Sequence, residues 1–171
     1  MDMHLNPQVT PLMVVKLTKA FQRYGISHCF LGHLAVNYWG YHRGFSQLEL
    51  LISGNSRMHS RVVQAIRDLG ITEQIPEMAF HHQIIRIITS TWFIDIYTHT
   101  NDGKYLIPQM IRWVELESAA VPVLRLRPLI SHMKASGDHY PESEYAIELS
   151  RIHEILRTET RPLNARKFLG N

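Results

Sequence analysis

Segments with the apolar spacing of a helix alternate along this chain with short, largely apolar segments typical of buried strands. Between Leu12 and Arg23 apolar residues recur at close to helical spacing, with Thr10-Pro11 as the start and Gly25 as the stop. A second amphipathic segment runs from Arg57 to Leu69. The alternation predicts helices packed against a sheet, which is an α/β or α+β fold.

The predicted strands are short and rich in β-branched and aromatic residues. They are His28 to Leu31, Leu48 to Ile52, His82 to Thr89 and Trp92 to His99. Only Ser90-Thr91 separates the third of these from the fourth, which predicts an antiparallel hairpin. In such a hairpin Arg86 and Asp95 can form an ion pair.

The remaining periodic segments are predicted to be helical. They are Leu34 to Trp39, Tyr105 to Glu115 and Glu142 to Leu156. Pro108 weakens the first half of the second of these, because proline lacks the N–H that a helix interior requires. The last helix is predicted to bury Ile147, Ile152 and Ile155 or their neighbours.

Length and composition favour a single compact domain. A chain of 171 residues with 45% hydrophobic residues can build one core, and it is short for two independent domains. We expect the core to span about 10–156 and the residues 157–171 to form a C-terminal tail. Cys29 is the only cysteine, so an internal disulfide is excluded.

The charge distribution gives no strong signal for nucleic acid. The formal net charge is +3, and the closest basic cluster lies in the tail at Arg161, Arg166 and Lys167, where a solvated terminal segment is the simpler interpretation. No apolar stretch reaches the roughly 20 residues that span a bilayer, and the N-terminus lacks the pattern of a signal peptide. We therefore expect a cytoplasmic protein without a membrane partner.

The chemistry-bearing residues lie just after one predicted strand and on two others. A strand ending at Leu31 runs into Gly32-His33 and a short helix, the next strand carries Gln47-Leu48-Glu49, and a later strand carries Asp95. This order resembles the nucleotidyltransferases of the polymerase-beta-like superfamily, which typically have two small residues at the turn, an Asp-x-Asp pair and a third acid. The resemblance implies a mixed β-sheet flanked by helices. It also implies a late strand in the run Ala120 to Leu126 and a helix from Pro128 to Lys134.

The same resemblance implies roles for individual residues. Glu49 and Asp95 would hold magnesium, the backbone at Gly32 would approach a phosphate, and Lys134 would lie beside the phosphates. Two residues depart from the pattern, which marks the chain as a divergent member with a degenerate metal motif. Gln47 replaces one of the carboxylates that hard ions require, and His33 replaces a small residue.

Three functions are compatible with this mixture of retained and altered residues. We rank first a cleft that has lost standard metal-dependent nucleotidyl transfer and binds or transforms another small molecule, with His33, Glu49 and Asp95 as acid, base or binding groups. Gly32, Gln47, Lys134 and Tyr97 are the predicted ligand-binding residues.

The first alternative is an active magnesium-dependent nucleotidyltransferase. The second is a non-catalytic protein-interaction module that keeps only the fold. Without the resemblance, the simplest interpretation makes Glu49 a solvent-facing acid on an edge strand, and Asp95 a buried acid paired with Arg86.

Overall fold

A mixed β-sheet lies at the centre of the computed structural model, which describes residues 9–40, 47–54, 58–71, 84–88, 93–136 and 142–158. Within these ranges the strands are β1 His28–Leu31, β2 Gln47–Ile52, β3 Ile84–Ile88, β4 Phe93–Tyr97, β5 Ile111–Leu116 and β6 Ala119–Leu124. The helices are α1 Pro11–Arg23, α2 Gly32–Tyr38, α3 His59–Arg67, α4 Leu126–Lys134 and α5 Glu142–Thr158. Together they form the predicted single α/β domain.

The order of strands across the sheet is β3-β4-β2-β1-β6-β5. β2 pairs with β4 in parallel and with β1 in antiparallel fashion, and β1 pairs with β6 in parallel. The outer pairs, β3 with β4 and β5 with β6, are antiparallel. β2 is therefore a central strand, and the interpretation of Glu49 as an edge-strand acid is wrong.

Two hydrophobic clusters cover the two faces of the sheet. Alternate strand residues such as Leu50 and Ile94 pack against α1 and α3, and we call this side the apolar face. Leu51 and Tyr97 point to the opposite face and belong to the cluster that includes α4 and α5 residues. We call this side the polar face because the buried acids Glu49 and Asp95 also lie on it. Cover on both faces explains why every residue of β2 after Gln47 is buried.

The start of α1 and the hairpin confirm the sequence predictions. The Thr10 side chain accepts a hydrogen bond from the backbone N–H of Met13, and Pro11 occupies the first turn, where its missing N–H is not needed. β3 and β4 pair antiparallel as predicted, with Arg86 opposite Asp95. The Ser90-Thr91 turn and most of the tail lie outside the described residues.

The helix predicted between Tyr105 and Glu115 is wrong. A short 3-10 helix spans Pro108–Met110, and β5 follows it directly. In β5 the buried residues alternate with exposed ones, as in Val114 and Leu116, which is the period of a strand. Pro108 supports this outcome, since it interrupts a helix but is tolerated immediately before a strand.

The buried face of α5 matches the prediction only in part, since Ile152 packs, partly buried, against the cluster of the polar face. Ile147 and Ile155 are 61% and 49% exposed, whereas Tyr145, Ala146 and Leu149 are buried against the polar face. The spacing of Tyr145 and Leu149, four residues apart, places both on the side that packs against α4 and the sheet. Among the described helices, none combines the length and the apolar character needed to cross a membrane.

Candidate functional site

A row of polar residues crosses the polar face, one residue per strand. The register places Arg86 of β3 opposite Asp95 of β4, and Asp95 beside Glu49 of β2. Glu49 in turn lies opposite Leu31, the last residue of β1 before the turn into α2. The predicted convergence of Glu49 with the Gly32 turn and with Asp95 is therefore confirmed.

Asp95 is fully buried and accepts three side-chain hydrogen bonds. Arg86 donates from Nε to Oδ1 and from Nη2 to Oδ2, each over 2.7 Å. The Gln47 amide donates to Oδ2 over 3.1 Å. The hydrogen bond to Asp95 raises the pKa of Arg86, so the guanidinium keeps its positive charge. Asp95 therefore has its charge balanced within the protein.

Glu49 is held differently, by groups that carry no permanent charge. The backbone N–H of His33 donates to Oε2 over 3.2 Å, and the Tyr97 hydroxyl lies 3.4 Å from Oε1. The Nδ1 atom of His33 is 3.7 Å from Oε2, close enough for an ion pair when the ring is protonated. Burial, followed by the charges of Glu49 and Asp95, raises the pKa of Tyr97, which keeps its hydroxyl protonated as a donor.

Gly32 is required by this contact. Its φ is +61°, in the left-handed region that glycine tolerates, and a Cβ added there would overlap the Glu49 carboxylate. The side chain of glutamate is one methylene longer than that of aspartate, and it thus reaches from β2 to the backbone of the turn. The carboxylate occupies the surface on which the resemblance places a phosphate.

His33 connects this turn to the last helix. Its Nε2 lies 3.2 Å from the hydroxyl of Tyr145, and the two rings meet edge to face with centroids 5.3 Å apart. The His33 side chain is 26% exposed, whereas the Glu49 side chain beneath it is 10% exposed. Of this pair, His33 is therefore the side chain more open to solvent.

His132 of α4 is a site neighbour that sequence reasoning missed. It is buried, and its ring meets that of Tyr97 at 90° with centroids 5.7 Å apart. Its Nδ1 accepts the backbone N–H of Asn101 over 3.0 Å, so the neutral ring carries its proton on Nε2. Burial lowers the pKa of His132, which favours this neutral form. Its position three residues after the inward Leu129 was the available signal.

Lys134 is the predicted site residue that stands apart from the others. It is the last residue of α4 and is exposed, whereas His132, two residues earlier, faces the sheet. A role for Lys134 beside a phosphate stays a prediction. The six other predicted site residues lie together around the row on the polar face: Gly32, His33, Gln47, Glu49, Asp95 and Tyr97.

The residues present do not fit a two-metal magnesium site. Magnesium takes oxygen ligands in octahedral geometry, chiefly carboxylates and water. Both oxygens of Asp95 accept N–H donors from Arg86 or Gln47, and the Gln47 amide presents nitrogen rather than oxygen to this acid. In the part of the chain that the structure describes, no three His, Cys, Asp or Glu side chains form a group suited to a metal ion.

Comparison with solved structures finds several with a similar fold and low sequence identity. The lincosamide antibiotic adenylyltransferase LnuA, in its lincomycin-bound crystal structure, matches with a TM-score of 0.61 and 10% identity over 87% of this chain and 99% of the other. The solution structure of the antibiotic-resistance factor ANT(2'')-Ia matches with a TM-score of 0.59 and 11% identity over 86% and 91%. The crystal structure of ANT(2'')-Ia with adenylyl-2''-tobramycin gives 0.57 and 11% over 88% and 98%.

No protein-family model and no curated protein sequence matches the chain. The likeness therefore lies in the arrangement of helices and strands and covers nearly the whole of each solved chain. At 10–11% identity it establishes the fold alone. This protein has the nucleotidyltransferase fold and is a divergent example of it.

Proposed function

We propose that this protein has lost standard metal-dependent nucleotidyl transfer and that its site binds or transforms a different small molecule. The observation that carries the proposal is the state of Asp95. This acid is fully buried and accepts two hydrogen bonds from one guanidinium and a third from Gln47. A metal ion would have to compete for this carboxylate with a charged partner that lies 2.7 Å away.

The charge balance supports the same proposal. Two-metal catalysis uses several carboxylates to hold cations that neutralise the charge developing on a transferring phosphate. Here one carboxylate is replaced by Gln47, and the charge of Asp95 is offset by Arg86. Glu49 is the one member of this row whose negative charge is not matched by a permanent cation, which leaves too little negative charge for two divalent ions.

The turn at Gly32 provides a second, independent argument. In this arrangement the Glu49 carboxylate lies against Gly32 and accepts the N–H of His33. An incoming phosphate would meet a negative charge on the backbone that it would otherwise approach. Nucleotide binding at this turn would therefore require Glu49 to move.

The remaining groups are suited to proton transfer or hydrogen bonding. His33 is partly exposed above Glu49, and a carboxylate that orients an imidazole is a common arrangement for a general base. Tyr97 retains its proton and acts as a donor. LnuA has been crystallised with lincomycin and ANT(2'')-Ia with an adenylylated tobramycin, which supports a small organic molecule as the ligand class.

An active magnesium-dependent transferase is the second candidate. Glu49 and Asp95 are direct neighbours in the sheet, and Arg86 is 55% exposed, so its side chain has room to leave Asp95. If it left, Asp95 could ligate a metal beside Glu49. The same binding experiment distinguishes the two candidates.

The test is calorimetric titration of the protein with ATP, GTP, CTP and UTP, each with and without magnesium. We expect no saturable metal-dependent binding by the unmodified protein. Asp95→Asn serves as the control, because it removes the acid but keeps the size of the side chain. Saturable magnesium-dependent binding that Asp95→Asn abolishes would refute the proposal and establish the second candidate.

A further inference from the structure

We propose that His132 is a positioning residue, which holds the Glu49 carboxylate in place by restraining the ring of Tyr97. The inference deepens the proposed function and rests on it, because Glu49 is the acid of the row without a permanent cation. Three contacts carry it. They run from the backbone after β4 through the imidazole and the tyrosine ring to the carboxylate.

The first contact joins Tyr97 to the carboxylate. The Tyr97 hydroxyl donates to Oε1 of Glu49 over 3.4 Å, while the backbone N–H of His33 donates to Oε2 over 3.2 Å. Each carboxylate oxygen thus has its own donor, and the two together set the orientation of the group. At 3.4 Å the hydroxyl is near the greatest length of a hydrogen bond, so a small tilt of the ring would break it.

The second contact restrains that tilt. The rings of His132 and Tyr97 meet at 90° with centroids 5.7 Å apart, the edge-to-face arrangement that aromatic pairs prefer. Both residues are buried. The hydroxyl lies at the far end of the tyrosine ring, so the direction of the ring decides its distance from Glu49. Because buried side chains are closely packed, the imidazole blocks a tilt of Tyr97 towards α4.

The third contact fixes the imidazole itself. Nδ1 of His132 accepts the backbone N–H of Asn101 over 3.0 Å. The Asn101 side chain also donates to the hydroxyl of Ser136, just after α4, over 2.6 Å. Asn101 comes four residues after Tyr97 in the chain. The segment that follows β4 therefore folds back and fixes the ring that packs against the last residue of its own strand.

The charge state of His132 suits this role. Burial lowers the pKa of His132, and the negative charges of Glu49 and Asp102 act in the opposite direction with a smaller effect. The ring is therefore neutral and restrains Tyr97 by packing. A protonated ring would instead attract the Glu49 carboxylate towards α4 and compete with the tyrosine hydroxyl for it.

His28 provides a matched control on the apolar face. It is also buried, meets the Phe21 ring edge to face with centroids 5.1 Å apart, and makes one hydrogen bond of 3.0 Å to the backbone, at Ile26. It lies two residues before Phe30 in β1, whose side chain belongs to the cluster of the apolar face. Loss of the His28 ring should therefore cost similar packing and leave Glu49 undisturbed.

The experiment follows two NMR resonances, the side-chain carboxylate carbon of Glu49 and the backbone N–H of His33. Tyr97→Phe removes only the hydroxyl, so it defines the shift that accompanies loss of the hydrogen bond to Oε1. His132→Leu should shift both resonances in the same direction and by most of that size, because the tyrosine ring can then tilt. His28→Leu should leave both resonances in place.

His132→Phe separates the restraint on Tyr97 from general stability. It keeps an aromatic ring against Tyr97 but leaves the N–H of Asn101 without its acceptor. It should therefore lower the urea midpoint and yet keep both resonances near those of the unmodified protein. His132→Leu in a Tyr97→Phe background should add no further shift. A merely structural role of His132 would make the resonances follow stability in every variant.

A measurement on the unmodified protein covers the case in which His132→Leu does not fold. Nuclear Overhauser contacts should join the ring protons of His132 and Tyr97, and the Tyr97 hydroxyl proton should be observable in slow exchange beside the Glu49 side chain. Absence of the contacts between the two rings would overturn the inference without any substitution.

Three further results would overturn it. They are unshifted resonances in folded Tyr97→Phe, unshifted resonances in folded His132→Leu, and equal shifts in His132→Leu and its control His28→Leu. None of these results touches the proposed function, which fails only on magnesium-dependent nucleotide binding, so the two failures are distinguishable.

Discussion

The two faces of the sheet differ in chemistry although they share the same strands. The apolar face, covered by α1 and α3, holds one continuous hydrophobic cluster, and His28 is the main polar residue within its strands. The polar face, covered by α4 and α5, buries Asp95, Glu49 and His132 beside its apolar side chains. A sheet can hold this difference because successive side chains of a strand point to opposite faces.

The two faces therefore have different roles within one small domain. Close-packed apolar side chains supply folding free energy in proportion to the area that they bury. Buried polar groups supply little net stability, but they are costly when one partner is missing. We therefore expect substitutions on the apolar face to change stability alone, and substitutions on the polar face to change ligand binding as well.

The largest effect is expected on the apolar face. Phe21 of α1 is fully buried there, and Phe21→Ala should lower the free energy of unfolding by about 4 kcal/mol. Urea unfolding monitored by circular dichroism measures this. A loss smaller than about 2 kcal/mol would show that the surrounding side chains repack into the cavity, so that the apolar face is not close-packed at this position.

The next largest effect concerns the ion pair on the polar face. Arg86→Leu leaves Asp95 buried without its cation and should cost about 3 kcal/mol in unfolding free energy. The double variant Arg86→Leu with Asp95→Leu should recover most of this loss, because no buried charge remains. A double variant as unstable as the single one would mean that Arg86 stabilises by packing rather than by charge.

The Arg86–Asp95 pair also shows what the sequence can predict. A hairpin centred on Ser90-Thr91 brings these two residues opposite each other, so local periodicity and one short connection were sufficient. The Gly32 turn and the convergence of Glu49 with Asp95 were expected from the resemblance to the nucleotidyltransferases, because local periodicity alone favoured Glu49 as an edge-strand acid. Local periodicity predicted most of the strands, but it did not place the six predicted site residues on one face of the sheet.

Features that depend on distant contacts were not accessible. Tyr145 rather than Ile147 is buried because of how α5 packs on α4, and nothing in the helical period of α5 itself makes that choice. His132 joins the site because the backbone N–H of Asn101, 31 residues earlier, holds its ring. The strand at β5 was missed since its pairing with β6 outweighs the helical spacing of its apolar residues.

His28 is the polar exception on the apolar face and predicts a pH effect. Its ring lies between Phe21 and Phe30, and Nδ1–H donates to the carbonyl of Ile26 over 3.0 Å. Nε2 is buried without a hydrogen-bond partner. Burial lowers the pKa of His28 to about 4 from the ordinary 6.5, so the folded state binds its proton less readily than the unfolded state.

Stability from His28 is therefore fully present above about pH 6.5 and falls as the pH drops towards 4. Between pH 7 and pH 5 the expected loss is about 2 kcal/mol in unfolding free energy. Urea unfolding at a series of pH values measures it. His28→Phe should flatten that dependence, and an unchanged slope in this variant would assign the titration to the polar face instead.

The smallest effect tests the contact between Glu49 and the turn on the polar face. Gly32 and Gly25 have nearly the same backbone, with φ of +61° and +64°. Alanine at either position should cost about 1 kcal/mol from the left-handed conformation. A Cβ at Gly25 meets only Arg61 Nη1 at 3.8 Å, whereas a Cβ at Gly32 overlaps the Glu49 carboxylate.

Gly32→Ala should therefore destabilise the protein more than Gly25→Ala does, and the excess measures the displacement of Glu49. Repeating both substitutions in a Glu49→Ala background should abolish that excess, because the overlapping carboxylate is then absent. Equal losses for the two glycines in the unmodified background would place the Glu49 carboxylate away from the turn. In that event the turn would be open to a phosphate. Glu49 would then not oppose nucleotide binding, whereas Asp95 would still be paired with Arg86.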